Sequence, residues 1–477
     1  MNVLFVASEV APWAKTGGLA DVAAALPKTL RKHGHDVRVF LPFYARVRSQ
    51  AHDFQEVFPE HVVQLGRHTY RFALLRAPGE ATYFVHCPPL YGRHAIYTAD
   101  PDEHLRFLLL CRAALESCAR LAFAPDVIHC NDWQGGLVPL MVKTQFAADP
   151  HVGRARTLLT IHNLNYQGIF RSDILPDTGL HAYAGMFHQD QLRQERVNFL
   201  LHGILYADGL STVSPTYARE IQTPDHGAGL DELLRARSTR LVGILNGVDY
   251  EEWSPQTDRY IPFRYGPDDL APKERNKEVL LHKLGLPYRP GVPTLGIVSR
   301  LASQKGFDLL FETLPQLLSA VDLRVTILGS GEHRFEHFFE RMQGSFPGKV
   351  CFWNGYNNEL AHLIEAGADL FVMPSRYEPC GLNQMYSLKY GTAPIVRRTG
   401  GLADTVDIWN PHTGEGTGFP FEHYDAAGIR WAIAYALDTY RDRRAFERLQ
   451  RNGMAKDFSW DRQARHYEEL YARLVAL

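Results

Sequence analysis

Thr16-Gly17-Gly18-Leu19-Ala20-Asp21 and Thr399-Gly400-Gly401-Leu402-Ala403-Asp404 are the same hexapeptide, met once in each half of the chain. Each copy follows a short β-branched run and leads into a stretch of helical periodicity. Glycine pairs in that setting let the backbone turn tightly and bring N–H groups to an anion at the start of a helix. Two ordinary glycine turns could coincide, but six identical residues in equivalent settings make coincidence the weaker reading. Ligands of open α/β sheets sit beyond the carboxyl ends of the strands, so the two loops predict a ligand clamped between two domains.

Working outward from the first copy, residues 3–8, 36–42, 83–87, 127–130, 157–162 and 209–214 read as strands. They are near-continuous apolar runs, as expected where both faces of a parallel sheet are covered. Residues 23–33 read as a helix that stops at Gly34, a residue suited to a left-handed cap. Residues 62–65 and 70–76 suggest a hairpin insertion. Around the second copy, residues 294–299, 324–329, 350–353, 370–374 and 393–397 repeat the alternation. The predicted class is α/β, with two doubly wound, Rossmann-like domains and an active-site cleft between them. The boundary falls at Asn246-Gly247-Val248-Asp249, giving domains 1–245 and 246–456. No low-complexity linker separates them, so a tight hinge is expected.

Composition narrows the function classes. The chain has 477 residues, 45% hydrophobic and 22% charged, an ordinary globular balance. Lys plus Arg is 51 against 53 for Asp plus Glu, so no overall basic excess draws in nucleic acid or anionic lipid. The apolar run at 105–115 is cut by Arg106 and Arg112, and neither it nor 137–142 approaches the roughly 20 residues of a membrane span. The N-terminus lacks a basic stretch and meets Glu9 early, unlike a signal peptide. A cytoplasmic protein without membrane partners is expected. The six cysteines include no C-x-x-C pair. On one helix, Cys111 and Cys118 lie about 10 Å apart, too far for a disulfide, so reduced thiols are expected.

Three loops carry residues suited to a phosphorylated ligand. Lys15 precedes the first glycine pair, where an ammonium beside backbone N–H groups suits a diphosphate; a solvated surface lysine is the plain alternative. Ser299-Arg300-Leu301-Ala302-Ser303-Gln304-Lys305-Gly306 puts Arg300 and Lys305 at the carboxyl end of a strand. Two cations there can neutralise charge growing on a leaving phosphate. Pro374-Ser375-Arg376-Tyr377-Glu378-Pro379-Cys380-Gly381-Leu382 follows another strand and opens a helix. Glu378 could accept hydrogen bonds from sugar hydroxyls, and the N–H groups near Gly381 and Leu382 could hold a phosphate. Cys380, near that helix start and the two cations, is expected to react with thiol reagents. His162 and Asp132 each end a strand of the first half. A structural histidine and an N-capping aspartate are the competing readings.

Other motifs are read as structural. Asp100-Pro101-Asp102 resembles a metal-binding D-x-D, but the central proline favours a turn. Lys273-Glu274-Arg275-Asn276-Lys277 reads as a solvated helix face. Gly329-Ser330-Gly331 is a glycine turn. No G-x-S-x-G elbow, H-E-x-x-H pair, P-loop or spaced Cys/His box is present, so no metal site is expected.

Together Ser8-Glu9, Lys15 to Asp21, Arg300 to Gly306, Glu378 to Leu382 and Asp457-Phe458-Ser459-Trp460 occur in the order found in bacterial glycogen synthases and plant starch synthases, and the chain resembles that family over nearly its whole length. The resemblance implies a GT-B glycosyltransferase that moves glucose from ADP-glucose to the non-reducing end of an α-1,4-glucan, with retention and without a metal or other cofactor. It implies that residues 457–477 cross back to the first domain. It implies that Lys15 and Gly18 touch the donor diphosphate, that Arg300 and Lys305 stabilise departing ADP, and that Glu378 orients the glucose. Gly381 and Leu382, with Cys380 and Thr399 close by, would line the donor site. His162 would offer its carbonyl near the anomeric carbon, and Asp132 would contact glucose or acceptor. The wider retaining superfamily often has a second Glu eight residues after the first; Tyr386 stands there, and it receives no catalytic role. Related alternatives are a UDP-glucose enzyme of the sucrose or trehalose-phosphate type, a glucan phosphorylase, and a non-catalytic glucan-binding homologue. Oligomeric state is not read from the sequence.

Overall fold

Runs of Val, Ile, Leu and Phe with no exposed polar face form the centre of two separate sheets. In the first, β1 (Asn2–Val6), β2 (Asp36–Pro42), β5 (Thr82–His86), β6 (Val127–Asn131), β7 (Arg156–Ile161), β10 (Gly209–Thr212) and β11 (Leu241–Gly243) are parallel. β3 (Gln55–Leu65) and β4 (His68–Arg76) add an antiparallel edge, giving the order β11-β10-β7-β6-β1-β2-β5-β4-β3. β8 (Ile169–Arg171) and β9 (Arg196–Asn198) form a separate two-stranded pair. The second sheet is wholly parallel. It runs β14-β13-β12-β15-β16-β17, built from β12 (Thr294–Val298), β13 (Arg324–Gly329), β14 (Val350–Asn354), β15 (Leu370–Met373), β16 (Ala393–Arg397) and β17 (Phe419–Phe421). This computed structural model describes residues 1–48, 53–93 and 95–477.

The chain forms two compact units, Met1–Gly247 with Trp460–Leu477, and Val248–Ser459. Each is an α/β sheet of the doubly wound type. The hairpin expected at 62–65 and 70–76 is longer, and it extends the main sheet instead of standing apart from it. Its outer strand is an edge, where exposed residues such as Glu56, Glu60 and Gln64 break the apolar run that sequence reading relies on. β8, β9 and β17 have three residues each, too few to show a period.

Helix α1 (Gly18–Lys32) starts at the glycine pair, five residues before the predicted boundary. It buries Leu19, Ala20, Val22, Ala23, Leu26 and Leu30. Asp21 lies in its first turn and Arg31 and Lys32 in its last, matching the helix dipole. The helix Trp460–Val475 belongs to the same unit. Tyr471 bonds His129 of β6 at 2.7 Å, and the other ring nitrogen of His129 is 2.6 Å from Thr160. At the N-terminal end of that helix, His33 lies between Glu468 at 3.0 Å and Asp461 at 2.8 Å. A neutral imidazole has one N–H, so donation to both carboxylates requires the imidazolium. The hydrogen bonds to Asp461 and Glu468 raise the pKa of His33, against a smaller effect of burial.

The second unit corrects the reading of 273–277 as a solvated face. On α2 (Ala271–Lys283), Lys273, Asn276 and Lys277 are all buried. Lys277 pairs with Asp369 at 2.8 Å. Lys273 donates to Glu365 O, Ala366 O and Thr392 Oγ1 at 3.2, 3.1 and 2.7 Å. Those carbonyls end α3 (Asn358–Gly367), where helical C=O groups have no partner inside the helix. The lysine supplies one while its methylene stem packs inside. Burial pushes the Lys273 ammonium down to about 7 and the Glu365 carboxyl up to about 8. Arg93 bridges Asp100 at 2.9 Å and Asp102, so 100–102 is a turn held by one guanidinium. None of the six cysteines forms a disulfide.

Burial pushes His129 down to about 3, from an ordinary 6.5. The native state therefore refuses a proton that the unfolded chain accepts. This contribution to stability is complete above pH 6.5 and is lost as pH falls toward 3, at up to about 1.4 kcal/mol per pH unit. His129→Gln removes the titrating group and keeps an amide in its place. Thermal melts from pH 7 to 4.5 are expected to show a shallower fall in Tm for the variant than for wild type. Parallel curves would contradict the assignment.

Candidate active site

Both sheets change their direction of strand addition beside their first strand. From β1 the chain adds β2 and β5 on one side, then returns to place β6 and β7 on the other. From β12 it adds β13 and β14, then returns with β15 and β16. Loops leaving two such neighbouring strands diverge to opposite faces and open a crevice. The predicted residues fall on those loops. Lys15 and Gly18 follow β1, Asp132 follows β6, and His162 follows the adjacent β7. Arg300 and Lys305 follow β12, 378–382 follows β15, and Thr399 follows β16.

In the first unit the glycine loop is fastened by an internal carboxylate. Buried Glu9 accepts from Thr16 Oγ1 at 2.6 Å, from the N–H of Gly17 at 3.1 Å and from Tyr97 OH at 2.6 Å. The N–H of Thr16 also goes to Glu9. Part of the anion-binding capacity expected of this loop is thus taken by the protein itself. Sequence reading quoted Glu9 without giving it a role. Lys15 is half exposed and pairs with Asp21 at 2.7 Å, a surface pair weak enough to exchange for a ligand.

Asp132 has a left-handed φ of 50°, which for a non-glycine residue costs about 1–3 kcal/mol. The chain accepts this strain because Asp132 ties two strand ends. Its Oδ1 takes the N–H of His162 at 2.7 Å and that of Asn163 at 3.4 Å, while its own N–H donates to Thr160 O. Burial raises its carboxyl to about 7, opposed by those N–H groups. His162 lies 2.9 Å from Asn131 Oδ1 through Nε2, and Asn131 Nδ2 donates to Val6 O at 3.0 Å. The amide orientation makes Oδ1 the acceptor, so Nε2 carries the proton and Nδ1 keeps a lone pair. Burial lowers His162 to about 3, and the ring is neutral at physiological pH. Asn131 was missed by sequence reading; its only signal is its place directly before Asp132.

In the second unit two loops are pressed together. An added Cβ at Gly306 would lie 2.0 Å from Pro374 O, and the Arg376 N–H donates to Gln304 O at 2.8 Å. This contact brings Lys305 Nζ within 2.6 Å of Glu378 Oε2. Glu378 is 4% exposed, and Ser375 Oγ donates to the same oxygen at 2.9 Å. Ser375 was also missed. Arg300 is exposed, and its guanidinium has no hydrogen-bond or ion-pair partner among the described residues, while its carbonyl accepts from Ser299 Oγ at 2.9 Å. Tyr356, 81% exposed, follows β14 at the same end of the sheet, just past the turn in which Gly355 N–H meets Gly329 O.

Helix α4 (Asn383–Lys389) follows Gly381 and Leu382, and Gln384 Nε2 pins the turn by donating to Cys380 O and Gly381 O at 3.0 and 3.1 Å. Cys380 is 4% exposed, which removes the access that the expected thiol chemistry needs. The second glycine pair opens α5 (Gly400–Thr405). It differs from its twin. Added Cβ atoms at Gly400 and Gly401 would lie 1.9 Å from Glu378 O and 2.1 Å from Cys380 O, whereas at Gly17 and Gly18 nothing lies within 4 Å. Thr399 is buried at 1% exposure. One copy leaves backbone open; the other supports the Glu378 loop from the protein side.

Residues 2–236 match the family model described as the starch synthase catalytic domain, and residues 286–453 match glycosyl transferases group 1. Glycogen synthases of Anaeromyxobacter sp. (strain Fw109-5) and Myxococcus xanthus are each 47% identical, with all of this chain and all of theirs covered. That of Thermotoga maritima is 43% identical over 100% of this chain and 99% of its own. Among solved structures, the catalytic domain of starch synthase IV from Arabidopsis thaliana, bound to ADP and acarbose, superposes with TM-score 0.92 at 34% identity, covering 100% of this chain and 99% of that one. Sucrose-phosphate synthase from Thermosynechococcus elongatus superposes with TM-score 0.62 at 18% identity over 100% and 99%, a likeness of fold.

The two glycine pairs should respond oppositely to alanine. Gly18→Ala meets open space at a helix start, and its Tm is expected to stay within a degree or two of wild type. Gly401→Ala drives a methyl into Cys380 O and is expected to cost about 1–3 kcal/mol. Thermal or urea unfolding checks both; equal loss in the two variants would show that the copies are packed alike.

Proposed function

Because the chain belongs to the glycogen and starch synthase family of glycosyltransferases, we propose that it transfers glucose from ADP-glucose to the terminal 4-hydroxyl of an α-1,4-glucan. In this reading the anomeric configuration is retained and the reaction takes place in the cytoplasm. The observation that carries the donor site is the buried Glu378 carboxylate paired with Lys305 at 2.6 Å, with an exposed Arg300, its side chain unpaired among the described residues, on the same loop as Lys305. The starch synthase IV structure, solved with ADP and acarbose, supports an adenine nucleotide over a uridine one. An exposed Tyr356 ring at the same sheet end offers the base a stacking face.

The chemistry follows from where charge develops. As the bond between the anomeric carbon and the diphosphate stretches, its electron pair goes to the phosphate oxygen. Arg300 and Lys305 neutralise that oxygen. Lys15 and the open backbone at Gly18 are the first unit's groups suited to an anion, since the Gly17 N–H is already given to Glu9. The backbone near Gly381 and Leu382 holds a phosphate. Glu378 orients the glucose hydroxyls and keeps Lys305 in place between turnovers.

The sugar becomes positively charged at carbon 1. His162 is neutral there, so it adds no repulsion, and its backbone carbonyl is assigned to that carbon. Asp132 binds a hydroxyl of the glucose or the acceptor. The glucan 4-hydroxyl attacks from the face ADP leaves, the new carbon–oxygen bond forms there, and the hydroxyl proton passes to the departing phosphate. Fixed cations supply the charge that a metal would otherwise bring, so the proposed mechanism requires none. Among the described residues no group of three or more His, Cys, Asp or Glu side chains is placed to hold one. No helix among them is long and apolar enough to cross a membrane.

The test is ADP released from ADP-glucose in the presence of glycogen, with UDP-glucose as competitor. Lys305→Ala and Arg300→Ala are each expected to lower turnover by about 100-fold or more while glycogen binding persists. New linkages should be cut by an α-1,4-specific amylase. Wild-type turnover at equal rate with UDP-glucose, or full activity in Lys305→Ala, would overturn the donor assignment.

A further inference from the structure

Tyr386 has no part in the reaction just described, yet it is 9% exposed and closely packed. Its ring lies on the indole of Trp253, centroids 4.0 Å apart and planes 2° from parallel. His362 of α3 lies on Trp253 at 3.7 Å and 12°. Two nearly parallel rings that close must take opposite faces, so the indole is held as a flat wedge between α3 and α4. The wedge is itself braced. Asp258 Oδ2 sits 2.8 Å from His362 Nδ1 and accepts from Tyr390 OH at 2.5 Å.

Positions 386, 389 and 390 share one face of a helix. On α4 that face meets Trp253 through Tyr386, Tyr250 through Lys389, whose ammonium lies 4.6 Å from the ring centroid, and Asp258 through Tyr390. All three partners lie just after the chain enters the second unit at Val248. The segment by which it leaves is tied to the same place. Val248 N–H donates to Phe458 O at 2.7 Å, and Phe458 N–H donates to Tyr250 OH at 3.0 Å. The other end of α4 holds the loop with Glu378. Gln384 pins Cys380 and Gly381, and Asn383 Nδ2 donates to Val298 O at the end of β12. Seven residues make a helix of about 10 Å, too short to bend between those ends.

We propose that Trp253 and Tyr386 are positioning residues for the sugar donor: their flat stack sets the rotation of α4, and α4 in turn sets the 378–382 loop and the Lys305–Glu378 pair. The same stack links that loop to both segments by which the chain passes between its units. This inference rests on the donor reading of the Glu378 loop. Misplacement of a reacting group by about 1 Å can lower rate up to about 100-fold, so a remote change of ring packing can be read in catalysis.

Steady-state kinetics of the full chain with ADP-glucose and glycogen test the proposal. Tyr386→Leu keeps an apolar side chain and loses the flat face. It is expected to lower kcat/KM for ADP-glucose about tenfold or more, with the KM for glycogen within twofold. Tyr386→Phe keeps the ring and should recover most of the loss. Trp253→Phe, which retains a smaller ring, should lie between. Leu437→Ala, a core truncation on a distant helix, should lower Tm without moving the donor KM. If Tyr386→Leu keeps wild-type donor kinetics, or if Leu437→Ala shifts them equally at equal loss of Tm, the positioning role is wrong. If Tyr386→Leu does not fold, Trp253→Phe against Tyr386→Phe decides by the same readout. Wild type inactive with every glucose nucleotide would sink the donor reading and this one with it; an active wild type with indifferent ring variants sinks this one alone.

Discussion

A carboxylate taken out of water needs a cation, and Glu378 has Lys305 at 2.6 Å. The pairing depends on two loops that could not meet if either carried a bulkier backbone. Gly306 lets the loop after β12 reach the carbonyl of Pro374, and the second glycine pair lets the loop after β16 reach the carbonyls of Glu378 and Cys380. The ion pair is therefore a product of backbone packing at the place where the second sheet reverses its strand order. Lys305 is thereby held at the carboxyl end of β12, and the Arg300 side chain, on the same loop, has no ion-pair partner among the described residues.

The first unit solves a different problem with the same architecture. Its strand ends carry His162 and Asp132, and both are held away from their ordinary charge states by burial, the histidine toward neutrality and the aspartate toward a carboxyl near neutral pH. In the proposed reaction, where a diphosphate gains negative charge while a sugar carbon gains positive charge, a neutral His162 adds no repulsion to that carbon.

Much of this was legible in the chain itself, and the misreadings have one cause. All eleven isolated strand readings fall within a residue or two of the observed bounds because buried parallel strands are continuous apolar runs, as in β1 and β13. The five-residue charged stretch at 273–277 was misjudged because spacing shows which residues share a helix face and not what that face meets. Here it meets the carbonyl end of α3 and Asp369. The expected thiol reactivity of Cys380 was read from its place near a helix start and two cations, and that place does not show that the residue is buried, with Gly401 packed on its backbone.

From sequence alone come the α/β class, the two doubly wound units, the family resemblance and the loops that carry Lys15, Asp132, His162, Arg300, Lys305 and Glu378. These are local facts, since apolar runs, glycine pairs and motif order are written along one dimension. Tertiary structure alone decided that Glu9 fastens the first glycine loop, that Asn131 sets the tautomer of His162, that identical hexapeptides serve opposite ends, and that Trp253 lies flat between His362 and Tyr386. Apart from the Glu9 contacts, which close within one irregular loop, these join residues brought together from separate parts of the chain, and neither kind of contact leaves a period in the sequence to be read.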